Sequence, residues 1–504
     1  MAKYDFVIVG SGLGGLGCAY ILSKEGYSVC VLEKNRQIGG SLQIFVRDRA
    51  IFDTGIHYIG GLSEGQNLNQ YFRYLDIMDK LNLRKMDEDG FDTISFNTVD
   101  QEFKYAQGWG RFEERMVDYF PKEKEGIAKY CEMIREVCRE FPMYNLRKSE
   151  LNLTETKFLD IDAEAFIATC TNDELLRSVL AGSNPLYAGE GDKTPLYVHA
   201  LVSNTYVESA WKCVNGGGQI AKYMVANIKG NGGAVRNYCD VRKLEVAGNE
   251  VKYALLSDGE KIEGKNFISN IHPSLTLDML TGGKLRNAYV NRIHSLKNTI
   301  SIFCLHLVMK PESFPYLNTN YYHYKTTDIW NSLKYNPADW PDGYALFCPA
   351  TSKSEKYADG LTAMMYMDIN DMKPWINTYN TIPKNQNDRG AGYEDFKMQK
   401  AEKMIDLLEQ KFPDIRNCIR SYSTSSPLSY RDYMGTKDGS LYGIVKDYKN
   451  PLRTFISPKM KIPNLFLTGQ NLNLHGVLGV TIGAVVTCGE ILGTDYLLSQ
   501  VKKS

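Results

Sequence analysis

The fold turns on residues 4–34, YDFVIVGSGLGGLGCAYILSKEGYSVCVLEK. Tyr4–Val9 is an apolar, β-branched run bounded by glycine, the pattern of a short buried strand. Gly10-Ser11-Gly12-Leu13-Gly14-Gly15 follows at once, and a helix is expected over Leu13–Lys24. Gly15, Gly17 and Ala19 keep that helix slim where it must lie against a sheet. Residues 27–32 make the next strand, which ends on Glu33, and a second glycine pair stands at Gly39 and Gly40.

Each of these positions has a physical role in holding a dinucleotide. Gly10 permits a tight turn, Gly12 lets the backbone approach a pyrophosphate, and Gly15 permits close helix–strand contact, while the helix N-terminus offers free N–H groups to phosphate. Glu33 is placed for a ribose diol and would repel a 2′-phosphate, which favours FAD or NAD over NADP. A glycine-rich turn in an ordinary βαβ unit would leave both the spacing and Glu33 unexplained.

At 504 residues the chain predicts two domains. Fifty-nine basic side chains balance 59 acidic ones, so the electrostatic footprint of a nucleic-acid protein is missing. The 33 tyrosines and 20 phenylalanines suit the walls of an apolar or planar ligand site, although ordinary core packing accounts for most of them. Eleven cysteines stand singly, with neither a CxxC pair nor metal-ligand spacing, so free thiols in a reducing cytoplasm and no metal are expected. No secretory pattern precedes the first strand. The apolar stretch 477–492 is short and carries Glu490, so membrane contact would be peripheral rather than spanning.

Beyond the fingerprint, 42–47 and 50–52 pair as a hairpin through Asp48-Arg49 and lead to Asp53-Thr54-Gly55-Ile56-His57-Tyr58, where His57 and Tyr58 are the first proton carriers near the cofactor loop. Residues 67–203 read as mostly helical: Leu68, Tyr71, Phe72 and Leu75 share one face, as do Ile127, Tyr130, Cys131, Ile134 and Cys138. The nucleotide fold then resumes, with Asn215-Gly216-Gly217-Gly218-Gln219 before a helix over 220–229 and strands at 241–246, 251–256 and 267–270. Further strands are expected at 299–309 and 361–367 and a helix at 393–411, while polar 377–389, containing Pro383, reads as mobile. His199, His306 and His323 read as structural. Near the end, strand 463–470 turns at Gly469, and the loop from Gly476 to Thr481 opens a helix of small residues, where the N1/O2 edge of a reduced flavin would be stabilised. Two such stations suggest one long ligand, FAD rather than NAD.

These residues resemble the flavin amine oxidase superfamily and, within it, the phytoene desaturase, carotenoid isomerase and retinol saturase group. The general likeness lies in 10–40, Thr468-Gly469 and 476–480. FDTGIHYIGG at 52–61, HALVSNTY at 199–206, SPLSYRDY and GSLYG between Ser426 and Gly443, and LTGQN at 467–471 are most similar to the retinol saturase branch. There are three departures: Ser41 stands where relatives carry arginine, Gln470 where an acidic residue is common, and Val214-Asn215-Gly216-Gly217-Gly218 where they have an aromatic-proline turn.

The resemblance implies an α/β fold, α+β overall: a Rossmann-like FAD-binding domain of the glutathione-reductase and amine-oxidase type (1–66, 204–290 and 421–504) with an inserted substrate cap (67–203 and 291–420). It implies FAD held by Gly10, Gly12, Leu13, Gly14, Gly15, Glu33, Lys34, Gly40 and Ser41. Val241 would meet the adenine, and Gly55, Ile56, His57, Gly469, Gln470, Gly479, Val480 and Thr481 would meet the flavin half. The implied activity is oxidoreduction at carbon–carbon double bonds (saturation, desaturation or isomerisation) of a hydrophobic polyene or isoprenoid such as a retinoid or carotenoid, with His57, Tyr58 and His475 as candidate acids or bases. No second nucleotide fingerprint is present, so NADH or NADPH is a candidate electron donor only by way of the substrate channel; a quinone or partner protein is equally open. A flavin amine or porphyrinogen oxidase and a non-catalytic prenyl carrier of the GDP-dissociation-inhibitor type stay open as alternatives.

Overall fold

The computed structural model describes residues 4–147, 156–283, 285–379 and 389–504. Tyr4–Val9 lies inside a parallel sheet, with Val29–Leu32 on one side and Lys261–Ser269 on the other. Ala234–Arg236 extends the sheet beyond Val29–Leu32, and Leu465–Leu467 pairs with the end of Lys261–Ser269. All four residues of Val29–Leu32 and all three of Leu465–Leu467 are buried, as expected for strands covered on both faces. The front half of Lys261–Ser269 instead pairs antiparallel with Glu250–Leu256, which pairs with Val241–Ala247. Helices Leu13–Lys24, Gly218–Gly230 and Gly476–Leu492 pack over this sheet. A methyl group on Gly17 would lie 2.8 Å from the Ala484 methyl, so glycine sets the spacing of the first and last of these helices.

A second sheet carries seven strands in the order Ile419–Ser425, Ser301–Met309, Gly360–Met367, Gly343–Phe347, Asn320–Tyr324, Asp92–Phe96 and Val99–Tyr105. Every residue of Ser301–Met309 is buried. Helix Ala391–Lys411 packs its Ala401, Met404, Ile405 and Leu408 into the core that contains Phe303 and Leu305. Helices Lys124–Glu140 and Leu196–Glu208 pack together in the other large core, beside the Asp92–Phe96 hairpin.

The helical expectation for 67–203 is corrected in one place. Leu83–Lys85, Asp92–Phe96 and Val99–Tyr105 are strands, because their partners are distant in sequence: Asp92–Phe96 pairs in parallel with Asn320–Tyr324. Strand Ile419–Ser425, across the expected join at 421, is the edge of the second sheet. Most of 377–389 lies outside the described residues. All eleven cysteines are free and buried. Among the described residues there is no cluster of potential metal ligands and no helix long and apolar enough to cross a membrane.

Candidate active site

The glycine fingerprint closes on itself. Gly10 has φ +92°, and a methyl group on Gly15 would lie 2.1 Å from the Gly10 carbonyl oxygen. A methyl on Gly14 would lie 3.0 Å from the Gly469 Cα, and one on Gly40 3.0 Å from the Gly12 Cα. Three loops from distant parts of the chain thus meet at backbone distance above the N-terminus of helix Leu13–Lys24. The Glu33 carboxylate, 6% exposed, accepts hydrogen bonds from Ser11 N (3.1 Å), Ser11 Oγ (2.6 Å) and Asn35 N (2.9 Å). Gly39 N in turn donates to Ser11 Oγ at 3.0 Å, tying the second glycine pair to the first.

A groove of about 550 Å³ runs from Glu33, Lys34 and Val241 past Gly10, Gly12, Leu13, Gly14, Gly40 and Ser41. It continues along Gly469 and Gln470 to Gly55, Ile56, His57 and Val480. Three expected cofactor residues stand behind this wall rather than in it. Gly15 abuts the Gly10 carbonyl, a methyl on Gly479 would lie 2.9 Å from Leu474, and Thr481 Oγ1 donates to Val477 O at 2.8 Å. The glycine cradle, which side chains would fill, and the length of the groove fit FAD. Ile302, Met364, Tyr430, Leu441 and Tyr442, mostly from the second sheet and the segments after it, also line the groove.

The three proton carriers differ in setting. His57 faces the groove, stacks on Phe347 at 4.5 Å between centroids, and has a buried Nε2 without a partner. Burial lowers its pKa to about 4. His475 precedes helix Gly476–Leu492, donates from Nε2 to Leu186 O at 3.1 Å and packs on Tyr442 at 4.3 Å; burial lowers it to about 4 as well. The Tyr58 hydroxyl donates to Asp92 Oδ2 at 2.9 Å and sits 2.8 Å from the Tyr322 hydroxyl. His57 therefore lines the groove, whereas Tyr58 and His475 lie one layer behind it.

Asp92, Tyr322 and Phe347 were not legible as site residues, whereas Tyr206 closes the segment HALVSNTY. Tyr430 and Tyr442 fall inside the segments SPLSYRDY and GSLYG, which is the signal that could have found them. SPLSYRDY folds over the loop that follows Glu33: Lys34 Nζ donates to Asp432 O at 3.1 Å and Asn35 Nδ2 to Tyr433 O at 2.7 Å. Buried Asp432 pairs with Arg389 and Arg431. Asp53 supports the site from below, since its Oδ1 accepts from Gly217 N at 2.7 Å and so fixes the Asn215–Gly218 turn. Burial pushes its carboxyl up to about 7. A second, more polar groove of about 760 Å³, lined by Phe45, His306, Arg389 and Tyr393, shares Thr54, Tyr430, Tyr433 and Met434 with the first. His199 and His323 lie outside both grooves, hydrogen-bonded to Tyr130 and Tyr187 and to Ser95 respectively.

Residues 8–75 match the family model described as an NAD(P)-binding Rossmann-like domain. All-trans-retinol 13,14-reductase of Rattus norvegicus is 27% identical over 531 residues, covering 97% of this chain and 86% of that protein. The chloroplastic prolycopene isomerase of Daucus carota is 24% identical over 522 residues, covering 99% and 81%. Among solved structures, cyclohexylamine oxidase from Brevibacterium oxydans superposes with TM-score 0.61 at 12% identity over 99% of each chain, a likeness of fold. An oxidoreductase from Methanosarcina mazei gives 0.60 at 14% identity, covering 95% of this chain and 98% of its own. With relatives of both names matched along nearly its whole length, and with a groove that fits FAD, the chain is similar to the retinol saturase and carotenoid isomerase-like FAD-dependent oxidoreductases.

Proposed function

We propose that the protein is an FAD-dependent oxidoreductase that saturates, desaturates or isomerises carbon–carbon double bonds of a hydrophobic polyene or isoprenoid. The observation that carries this reading is the single groove running from the Glu33 carboxylate to the aromatic and aliphatic wall of Met364, Tyr430 and Tyr442. One end is built for ribose and pyrophosphate, the other for an apolar planar body. Bound flavin supplies hydride chemistry. The chain's own residues do the rest. Backbone N–H groups at Gly12–Gly14 and the helix dipole would hold the pyrophosphate, Glu33 would hold the ribose, and the start of helix Gly476–Leu492 would stabilise the electron-rich edge of the flavin. His57, neutral at pH 7, orients the ligand and excludes water, while Tyr58 holds a proton behind it.

The alternatives are less well supported. The likeness to amine oxidases is one of fold, and a carrier without flavin chemistry would have no use for the intact fingerprint. With one nucleotide fingerprint in the chain, NADH or NADPH would have to enter by the substrate channel, and a quinone or a partner protein would serve as donor equally well. Contact with a membrane would be peripheral. Anaerobic incubation of the FAD-loaded protein with retinoids and carotenoids, followed by chromatography of the products, tests the reading. A new saturation state or isomer supports it, and unchanged polyenes in both flavin redox states refute it.

A further inference from the structure

We infer that Asp92 is a positioning residue that stores a proton behind the active site and passes it to the Tyr58–Tyr322 pair. The inference rests on the reading of the groove as a site of double-bond chemistry. Asp92 opens a strand of the second sheet and is 0% exposed. One carboxyl oxygen receives the Tyr58 hydroxyl at 2.9 Å and the other receives Asn320 Nδ2 at 2.8 Å.

The groups that face Asp92 are Tyr58, Tyr105, Tyr206, Tyr322, Tyr324 and Lys212. Lys212 directs its ammonium at Leu317 O (2.8 Å) and Cys348 O (2.9 Å), so Asp92 has no direct ion-pair partner among the described residues. A carboxylate in such a place is poorly compensated, while a carboxylic acid is comfortable. Burial accordingly pushes Asp92 up to about 7, against the opposing hydrogen bonds of Asn320 and Tyr58. The histidines, lowered to about 4, carry almost no proton to give at neutral pH.

The network reaches toward the groove. The Tyr58 ring packs on Tyr206 at 4.4 Å, and Phe347, which stacks on groove-lining His57, lies 6.0 Å from both Tyr58 and Tyr322. Bound FAD would supply the hydride of a saturation, and the chain's own groups would then have to supply one proton to the neighbouring carbon. Neither hydroxyl of the pair lines the groove, so the proton would cross to the carbon through water there: an O–H bond of the pair breaks, that oxygen takes the Asp92 proton, and Asp92 is reprotonated from solvent.

The test is infrared spectroscopy of the FAD-loaded full chain with ¹³C-labelled aspartate, titrated from about pH 5 to about pH 9 across the raised carboxyl range. The wild type should lose protonated-carboxyl C=O intensity as the pH rises. Asp92→Asn should lack that component while keeping its flavin absorbance, and Asp53→Asn should retain it. Tyr58→Phe, which removes a donor to the carboxylate, should move the transition to higher pH, and it keeps the test available if Asp92→Asn does not fold. An unchanged titration in Asp92→Asn, or an unshifted one in Tyr58→Phe, overturns the inference. No substrate is needed, so a wild type that shows the component yet converts no polyene would count against the proposed function instead.

Discussion

Gly15 and Gly10 stand so close that a single methyl group on Gly15 would lie 2.1 Å from the Gly10 carbonyl oxygen. That contact fixes the turn between the first strand and the first helix, and with it the aim of the N–H groups at Gly12–Gly14. Gly15→Ala must therefore displace the turn itself. It should lower both flavin occupancy and thermal stability, the latter by about 1–3 kcal/mol as for overpacking in a tight interior. Flavin-to-protein absorbance and thermal denaturation check both outcomes.

Gly12→Val separates binding from folding better. The new Cβ would meet the Asn270 side-chain amide at 2.9 Å and then project toward the pyrophosphate position. Flavin affinity should fall by at least about tenfold, or ~1.4 kcal/mol, with a smaller effect on the apo-protein. Full FAD occupancy in this variant would contradict the placement of the pyrophosphate.

Glu33→Ala removes the acceptor for Ser11 N, Ser11 Oγ and Asn35 N together. Leaving such buried donors unmade costs about 1–3 kcal/mol. The variant should melt earlier and bind FAD more weakly. Glu33→Gln, which retains an acceptor oxygen, should recover part of both.

The pH dependence of stability has two opposing parts. Asp53 and Asp92 have folded pKa values near 7, above the unfolded carboxyl range, so their contribution is full below about pH 4 and is lost as pH rises through 7. The buried histidines His57, His199 and His475 are lowered to about 4, so their contribution is present above about pH 6.5 and is lost as pH falls toward 4. The difference between wild type and Asp92→Asn isolates the carboxyl part. Between about pH 5 and 7 it should shift against the wild type, with an upper limit near ~1.4 kcal/mol per pH unit. Denaturant melts at several pH values provide the check.

His57→Phe tests the groove-facing imidazole. Its buried Nε2 has no partner and its ring stacks on Phe347, so a phenyl ring relieves an unsatisfied group without losing the stack. The apo-protein should be at least as stable as the wild type, while polyene turnover drops. A loss of stability would show that His57 is a structural residue.

Local patterns made much of this protein legible. The fingerprint, the Glu33 strand end and the small-residue helix at the end of the chain depend on neighbours in sequence, and their spacing is visible. The strands Asp92–Phe96 and Val99–Tyr105 were hidden within an otherwise helical region, since Asp92 finds its partner strand at Asn320. For the same reason Asp92 gave no sign of chemistry: its setting is made by Tyr58, Tyr322 and Asn320, which the sequence scatters. Glycine spacing marked the cofactor groove from one side, and the cap side became visible only with the second sheet assembled.

The most direct test of the central claim is to mix reduced, FAD-loaded protein anaerobically with a retinoid or carotenoid, following flavin and polyene absorbance together, and to repeat the mixing with oxidised protein. In at least one redox state the polyene spectrum should change at a rate tied to the enzyme, with matching flavin oxidation or reduction if the reaction is net redox. A protein that takes up no FAD, or an FAD-loaded protein that leaves every polyene unchanged in both states, would contradict the account.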